Sequence, residues 1–365
     1  MAGIYISWPF CAQKCTYCNF ASGVQPRGLE QDYLTALASE ISSQFVSLPP
    51  PETLYIGGGT PSAIDPPVIE RVLANMPHEW REATIEAAPG TLTPERIRAW
   101  RRFGVNRVSL GVQSFIRAEL VRTGRKHDAT IVENDVAMLR SEGIPNINID
   151  LIAGLSGQTA ASWQASLDAL FALEVPHVSV YMLEIDDNSR LGAEIILGGK
   201  RYGAFDVPNE DRIADFYETA VRQLARRGIL RYEISNFARA GAESLHNLKY
   251  WHREPYLGFG SDAHSFDGVT RWQNVETAAE YVDKSLTGES VRAESNRPDP
   301  VEEKFFVGLR LTEGVRPDPS DWLRYGSAIT RHLSDGMMVS DNGCLRLTNR
   351  GIMVSNEIFQ EFIAA

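Results

Sequence analysis

Residues 4–18 read IYISWPFCAQKCTYC: a short apolar, β-branched run that leads straight into three cysteines, Cys11, Cys15 and Cys18, at C-x3-C-x2-C spacing. The chain has four cysteines in 365 residues, and the fourth, Cys344, lies near the other end. Three thiolates are one short of a closed tetrahedral zinc site, and the first histidine, His78, is far away in sequence. A cubane iron–sulfur cluster held by three cysteines leaves one iron without a protein ligand, free to take a small molecule. A zinc knuckle or three unrelated thiols are the plainer readings. The missing fourth ligand and the position just after a strand favour the cluster.

Working outward, the unit that begins this stretch repeats. Apolar runs recur at IYIS (4–7), TLYIG (53–57), ATIEAA (83–88), RVSLGV (107–112), NINIDLI (146–152) and HVSVYML (177–183). Helical patterns separate them, such as 29–46, where Tyr33, Leu34, Leu37, Ile41 and Phe45 make one stripe. The spacing also predicts helices over PPVIERVLANM, TPERIRAWRRFG (with Thr93 as N-cap and Gly104 as stop), ATIVENDVAMLRSEG and TAASWQASLDALFAL. Six strands alternating with helices predict a parallel sheet, either doubly wound or a partial barrel. Chemically specific residues sit at or near the C-terminal end of each strand: the cysteines, GGGTP (57–61), Glu86, Gln113, Asp150, and Tyr181 with Glu184. Barrel enzymes draw their sites from that rim. The expected fold is therefore α/β, a partial (β/α)6 TIM-like barrel.

Beyond residue 184 the alternation weakens. The segment 185–212 reads as irregular, a helix is expected at 210–227 with Ile213, Phe216, Tyr217, Ala220 and Leu224 on one face, and 286–300 reads as a polar linker. After it, two short strands around Asn342-Gly343 and flanking helices predict a small C-terminal α+β, winged-helix-like domain. The expected division is 1–285 and 300–365.

The totals narrow the function. A formal net charge of −11 argues against a nucleic-acid surface, and no apolar run is long enough for a transmembrane segment. The N-terminus lacks the basic and apolar regions of a signal peptide, and three crowded cysteines do not make a secreted disulfide framework, so a cytoplasmic location is expected.

GGGTP is neither a P-loop nor a G-x-G-x-x-G fingerprint, but it exposes backbone groups to which the charged end of a ligand can come close. Asp150 stands between Ile149 and Leu151 in an otherwise apolar run, where a carboxylate left unpaired is costly. Arg125 and Gln113 are unspecific by themselves. HNLKYW (246–251) offers an imidazole that can ligate iron beside flat aromatic surface, although a packed histidine is the commoner case, and His127, His252 and His264 compete with His246 for the role.

With these motifs in place, the chain resembles radical S-adenosylmethionine proteins of the oxygen-independent coproporphyrinogen III oxidase-like family, and most of all their heme chaperone branch. The likeness runs through YISWPFCAQKCTYCNF, YIGGGTPS, IEAAPGTL, RVSLGVQSF, NIDLIAGL, RYEISNFAR, HNLKYW, LRLTNRG and SNEIF. It implies a [4Fe-4S] cluster on Cys11, Cys15 and Cys18, with S-adenosylmethionine on the fourth iron. The pocket for that molecule would be lined by Tyr5, Tyr17, Gly58, Gly59, Thr60, Glu86, Gln113, Arg125 and Asp150. His246 would be the heme ligand, with Asn247, Tyr250 and Trp251 completing the heme motif. The implied partners are heme and an acceptor protein that the sequence does not identify. The family's oxidases carry a fourth cysteine two residues after the third, where this chain has Phe20, and a long N-terminal extension. Both differences weigh against the alternative, a coproporphyrinogen III oxidase of porphyrin biosynthesis, and no catalytic residue is assigned. Ser7, Ala88 and Ser156 also stand where the family usually has histidine, asparagine and proline.

Overall fold

The computed structural model describes residues 2–45 and 51–363, except the side chains of Arg27 and Phe45, so Phe45's place on the first helical stripe lies outside the described residues. The six expected strands form as β1 (Gly3–Trp8), β2 (Thr53–Gly58), β3 (Glu82–Ala87), β4 (Arg107–Gln113), β5 (Asn146–Ala153) and β6 (His177–Met182). Each pairs in parallel with the next. They belong to a larger sheet with β7 (Leu230–Arg231), β8 (Asn236–Ala238), β9 (Tyr256–Phe259), β10 (His264–Phe266), β11 (Arg271–Asn274) and β12 (Arg292–Asn296). The order is β12-β11-β10-β9-β1-β2-β3-β4-β5-β6-β8-β7. β9 runs parallel to β1, so the parallel run has a seventh member that the aromatic- and glycine-rich sequence concealed. β6 and β9 do not pair with each other, which leaves the barrel open.

The strands alternate more strictly than their apolar appearance suggests. One set of residues, including Ile4, Ile6, Ile147, Ile149, Val178 and Val180, is at most 1% exposed and packs into the main core. Burial of each such side chain is worth about 1.5–3 kcal/mol. The other set points into the barrel and is mostly polar: Tyr5 and Ser7, Thr53 and Tyr55, Thr84 and Glu86, Ser109, Asn148 and Asp150, His177 and Ser179. The main apolar core therefore lies between sheet and helices, and the lumen is left for polar contacts.

Helices cover the outside. Thr93 caps Pro94–Arg102 by accepting from the Arg96 backbone N–H, and Thr159 forms a capping box with Ser162 at Ala160–Ala172. The Trp163 indole N–H donates to the Phe216 carbonyl at 2.8 Å and ties that helix to Glu210–Ala225. All five residues expected on the inner face of Glu210–Ala225 are buried.

Two sequence readings change. The segment read as irregular contains a helix, Arg190–Ile196, capped by Ser189; at seven residues with an internal glycine it carries little periodic signal. Its Leu191 N–H donates to the Thr16 carbonyl at 2.8 Å, which docks it on the cysteine loop. The stretch 286–300, read as a linker, contains β12, an antiparallel edge strand on β11. All five β12 residues are exposed, so no apolar alternation marked it, and its charge suits an open edge. Beyond it, β13 (Met338–Asp341) and β14 (Cys344–Leu347) pair about Asn342 and Gly343, both at positive φ (50° and 76°), the two-residue turn that an Asn-Gly pair favours. Phe305, Tyr325 and Phe362 pack the helices beside this hairpin. Among the described residues no helix is long and apolar enough to cross a membrane.

Gly104 ends its helix at φ +83°, and a Cβ there would lie 2.3 Å from the His78 carbonyl oxygen. Gly104→Ala should lower unfolding free energy by about 1–3 kcal/mol in urea titration, and an unchanged midpoint would contradict this account of the turn.

Candidate cofactor site

The cysteine loop leaves the top of β1 and is anchored at both sides. The Cys11 N–H donates to the Gly23 carbonyl at 2.9 Å, and the Thr16 N–H to the Thr123 carbonyl at 3.2 Å. Cys11, Cys15 and Cys18 are half-buried free thiols, and burial pushes the Cys11 and Cys18 thiols above their ordinary range. Among the described residues, no three histidine, cysteine or carboxylate side chains converge on a single metal ion. A cubane spreads its protein ligands over separate irons and does not require that convergence. Phe20, two residues after Cys18, is 66% exposed.

The glycine turn after β2 lies directly against this loop. A Cβ on Gly59 would sit 2.5 Å from the Phe10 carbonyl oxygen and 2.9 Å from Cys11 Sγ, so only glycine lets the backbone pass so close to the cysteine. Gly58, at φ +112°, would bring a Cβ within 2.9 Å of the Trp8 carbonyl oxygen. The Thr60 N–H donates to the Phe10 carbonyl at 2.9 Å. On the lumen side, Glu86 accepts from the Gly58 N–H at 3.0 Å and from the Tyr55 hydroxyl at 3.0 Å. Tyr5 stacks on Tyr55 with ring centroids 6.2 Å apart.

The remaining rim residues close the ring. Arg125 donates to the Gly111 carbonyl at 2.7 Å and to the Tyr17 hydroxyl at 3.4 Å. Asp150 accepts from Asn148 at 2.7 Å and from Ser109 at 3.2 Å, which provides the partners its position demanded. Gln113 holds a left-handed backbone, φ 69°, and its buried Oε1 has no partner, nor has Arg125 Nε. Orphaned polar atoms beside a glycine cradle and three free thiols fit a polar ligand seated at an open cluster iron.

The HNLKYW residues lie elsewhere. They form a short helix, Leu245–Trp251, against the starts of β1, β2 and β3, at the opposite end of the barrel. Glu82 accepts from the Ser244 hydroxyl and from the Leu245 and His246 N–H groups at 3.2, 2.9 and 2.9 Å. Lys249 pairs with Glu52 at 2.9 Å and Glu254 at 2.8 Å. His246 is fully buried, with Nδ1 2.9 Å from the Thr53 hydroxyl and Nε2 2.8 Å from the Tyr250 hydroxyl. Burial, with Lys249 and Arg107 nearby, holds its pKa at about 3, so the ring stays neutral. The expectation that His246 presents a nitrogen to iron is not met in this arrangement, since both nitrogens are engaged. Asn247 is half-buried, and Trp251 stacks under the Arg310 guanidinium, 4.5 Å from the ring centroid. Sequence reasoning missed Tyr55, Ser109 and Asn148, which alternate with apolar neighbours on their strands; that period of two was the available signal.

Burial, and secondarily Asp150, pushes the Glu86 carboxyl up to about 7. A folded-state pKa above the ordinary 4.5 stabilises the protonated form, so the stability it contributes is complete below pH 4.5 and is lost as pH rises through 7. Glu86→Gln, neutral throughout, should lose up to about 3 kcal/mol less unfolding free energy than the parent between pH 5 and 8. Buried histidines titrate alike in both proteins and cancel. Parallel pH profiles from chemical unfolding would contradict the assignment.

Residues 5–170 match the family model described as "Radical SAM superfamily". The chain is 33% identical to the heme chaperone HemW of Lactococcus lactis subsp. lactis, over 98% of this chain and 96% of that one. It is 31% identical to the HemW of Bacillus subtilis, over 100% and 99% of the two chains. Among solved structures, coproporphyrinogen III oxidase (HemN) of Escherichia coli, a radical SAM enzyme, superposes with a TM-score of 0.83 at 21% identity, over 99% of this chain and 89% of that one, and so shares the fold. Cysteine loop, partial barrel and full-length identity together place this chain in the HemW family of the radical SAM superfamily.

Proposed function

We propose that this chain binds heme and passes it to an acceptor protein, and that the rim of its barrel carries a [4Fe-4S] cluster and S-adenosylmethionine. The observation that carries this reading is the identity to curated heme chaperones across the whole chain, far beyond the residues 5–170 that the superfamily shares. In this reading Cys11, Cys15 and Cys18 hold the cluster. Gly58, Gly59, Thr60, Glu86, Gln113, Arg125 and Asp150, with Tyr5 and Tyr17, hold S-adenosylmethionine. When bound, the cluster supplies a one-electron centre with an open iron. The chain's own part is to orient the ligand. The glycine turn admits it beside Cys11, the orphaned Gln113 and Arg125 atoms offer it an acceptor and a donor, and Glu86 and Asp150 offer carboxylates. Phe20 supports chaperone over oxidase, because the loop has no thiol at that position.

His246 is the heme ligand in this proposal, and in the simplest route the helix Leu245–Trp251 leaves its seat, which frees Nδ1 from Thr53 on β2, while the Nε2 contact to Tyr250 lies within the helix itself. Adding hemin to the reconstituted protein under anaerobic conditions should give a Soret band, with affinity about tenfold weaker in His246→Ala. An unchanged titration in the variant would reject the ligand assignment. Decarboxylation of coproporphyrinogen III by the same preparation would favour the oxidase instead.

A further inference from the structure

Two chains of contacts, the second hydrogen-bonded throughout and the first through one ring–ring contact, join the floor helix Leu245–Trp251 to the two rim carboxylates, through a barrel about 16 Å deep if β2 from Thr53 to Gly58 is taken as the measure. The first begins at His246. Its ring is fixed by Thr53 and Tyr250 and packs on the Tyr55 ring, centroids 5.3 Å apart at 32°. The Tyr55 hydroxyl donates to Glu86 at 3.0 Å, and the other oxygen of that carboxylate receives the Gly58 N–H of the glycine turn.

The second chain begins two residues earlier. The N–H of Ser244, the residue capping the helix, donates to the Tyr232 hydroxyl at 3.2 Å. That hydroxyl lies 2.9 Å from His177 Nε2, and His177 Nδ1 lies 2.6 Å from the Asn148 side-chain carbonyl. Asn148 then donates to Asp150 at 2.7 Å. Tyr232 comes from RYEISNFAR, a motif that the cofactor site does not use directly. Each intermediate has its ring or side chain held at both ends.

We propose that His246 and Tyr232 are positioning residues for S-adenosylmethionine: His246 acts on Glu86 through Tyr55, Tyr232 acts on Asp150 through His177 and Asn148, and the seated floor helix sets both carboxylates. The inference rests on the reading that the rim binds S-adenosylmethionine. It gives HNLKYW a role in the docked state separate from heme ligation. A histidine seals the path better than an aliphatic residue because it is neutral, flat and bonded at both edges. Tyr55 has one orientation while that ring lies against it, and a loosened Tyr55 would free Glu86 to turn from the Gly58 N–H.

The test is the dissociation constant of S-adenosylmethionine for the cluster-loaded full chain, read from the change it causes in the electron paramagnetic resonance of the reduced cluster. Hemin binding and cluster content are measured on the same preparations. His246→Ala should weaken S-adenosylmethionine about tenfold at unchanged cluster content, and His246→Gln should recover part of the loss. Tyr55→Phe keeps the ring and removes the hydroxyl; adding His246→Ala to it should cost less than about twofold more, whereas Tyr232→Phe should add its full effect to either. Tyr55→Phe and Tyr232→Phe keep the inference testable if His246→Ala does not fold. Unchanged S-adenosylmethionine affinity in His246→Ala, with hemin binding lost, would overturn the inference and leave the heme reading standing. Fully additive losses for His246 and Tyr55 would also overturn it. Failure of the parent, with a full cluster, to bind S-adenosylmethionine would overturn the underlying reading and the inference with it.

Discussion

The structure depends on one constraint: a β-strand sends alternate side chains to opposite faces, and these six strands give their apolar set to the helices. The lumen receives what is left, and that set is polar. Barrel enzymes usually fill this space with branched aliphatic side chains. Here Tyr5, Tyr55, Glu86, Asn148, Asp150 and His177 need partners instead, because an unpaired polar group in such a place costs on the order of 1–3 kcal/mol. At the floor, Ser244, His246 and Tyr250 of the HNLKYW region and Tyr232 of RYEISNFAR supply such partners. At the rim, Glu86 and Asp150 are paired while Gln113 Oε1 and Arg125 Nε have no partner, and in the proposed reading these two atoms face the ligand.

In the proposed reading, heme handling and the cofactor site are parts of one network. The helix that carries His246 is held by Glu82, Glu52 and Glu254, all at the floor or its edge. If ligating heme requires that helix to leave, whatever stabilises its docked state opposes the release. Linkage makes this reciprocal: a molecule at the rim that favours the docked helix weakens heme ligation by the same factor by which heme weakens its binding. Arg310 over Trp251 and Glu313 at 2.7 Å from His252 extend the contact to the chain's last segment, so the helix is gripped from two sides.

What was legible in the sequence follows from range. The six strands, their helices and the cysteine loop are written in local periodicity and spacing, and all six strands lie within a residue or two of their expected limits. The rim was legible because its residues end strands, a position with a fixed meaning in a barrel. The floor was not. His246 touches Thr53 and Gly3, and Ser244 bonds Glu82, all partners more than 150 residues away, and nothing near 246 in the chain distinguishes a bonded core histidine from an exposed ligand. β12 escaped notice because both its faces meet solvent, and Arg190–Ile196 because seven residues are too few for a stripe.

The central claim is that the floor helix and the rim are one unit, and hydrogen–deuterium exchange on the anaerobically reconstituted protein tests it most directly. Adding S-adenosylmethionine should slow exchange in the cysteine loop and the glycine turn and, in the same experiment, in residues 245–251 at the far end of the barrel. Protection confined to the rim, with exchange in 245–251 unaltered, would contradict the coupling.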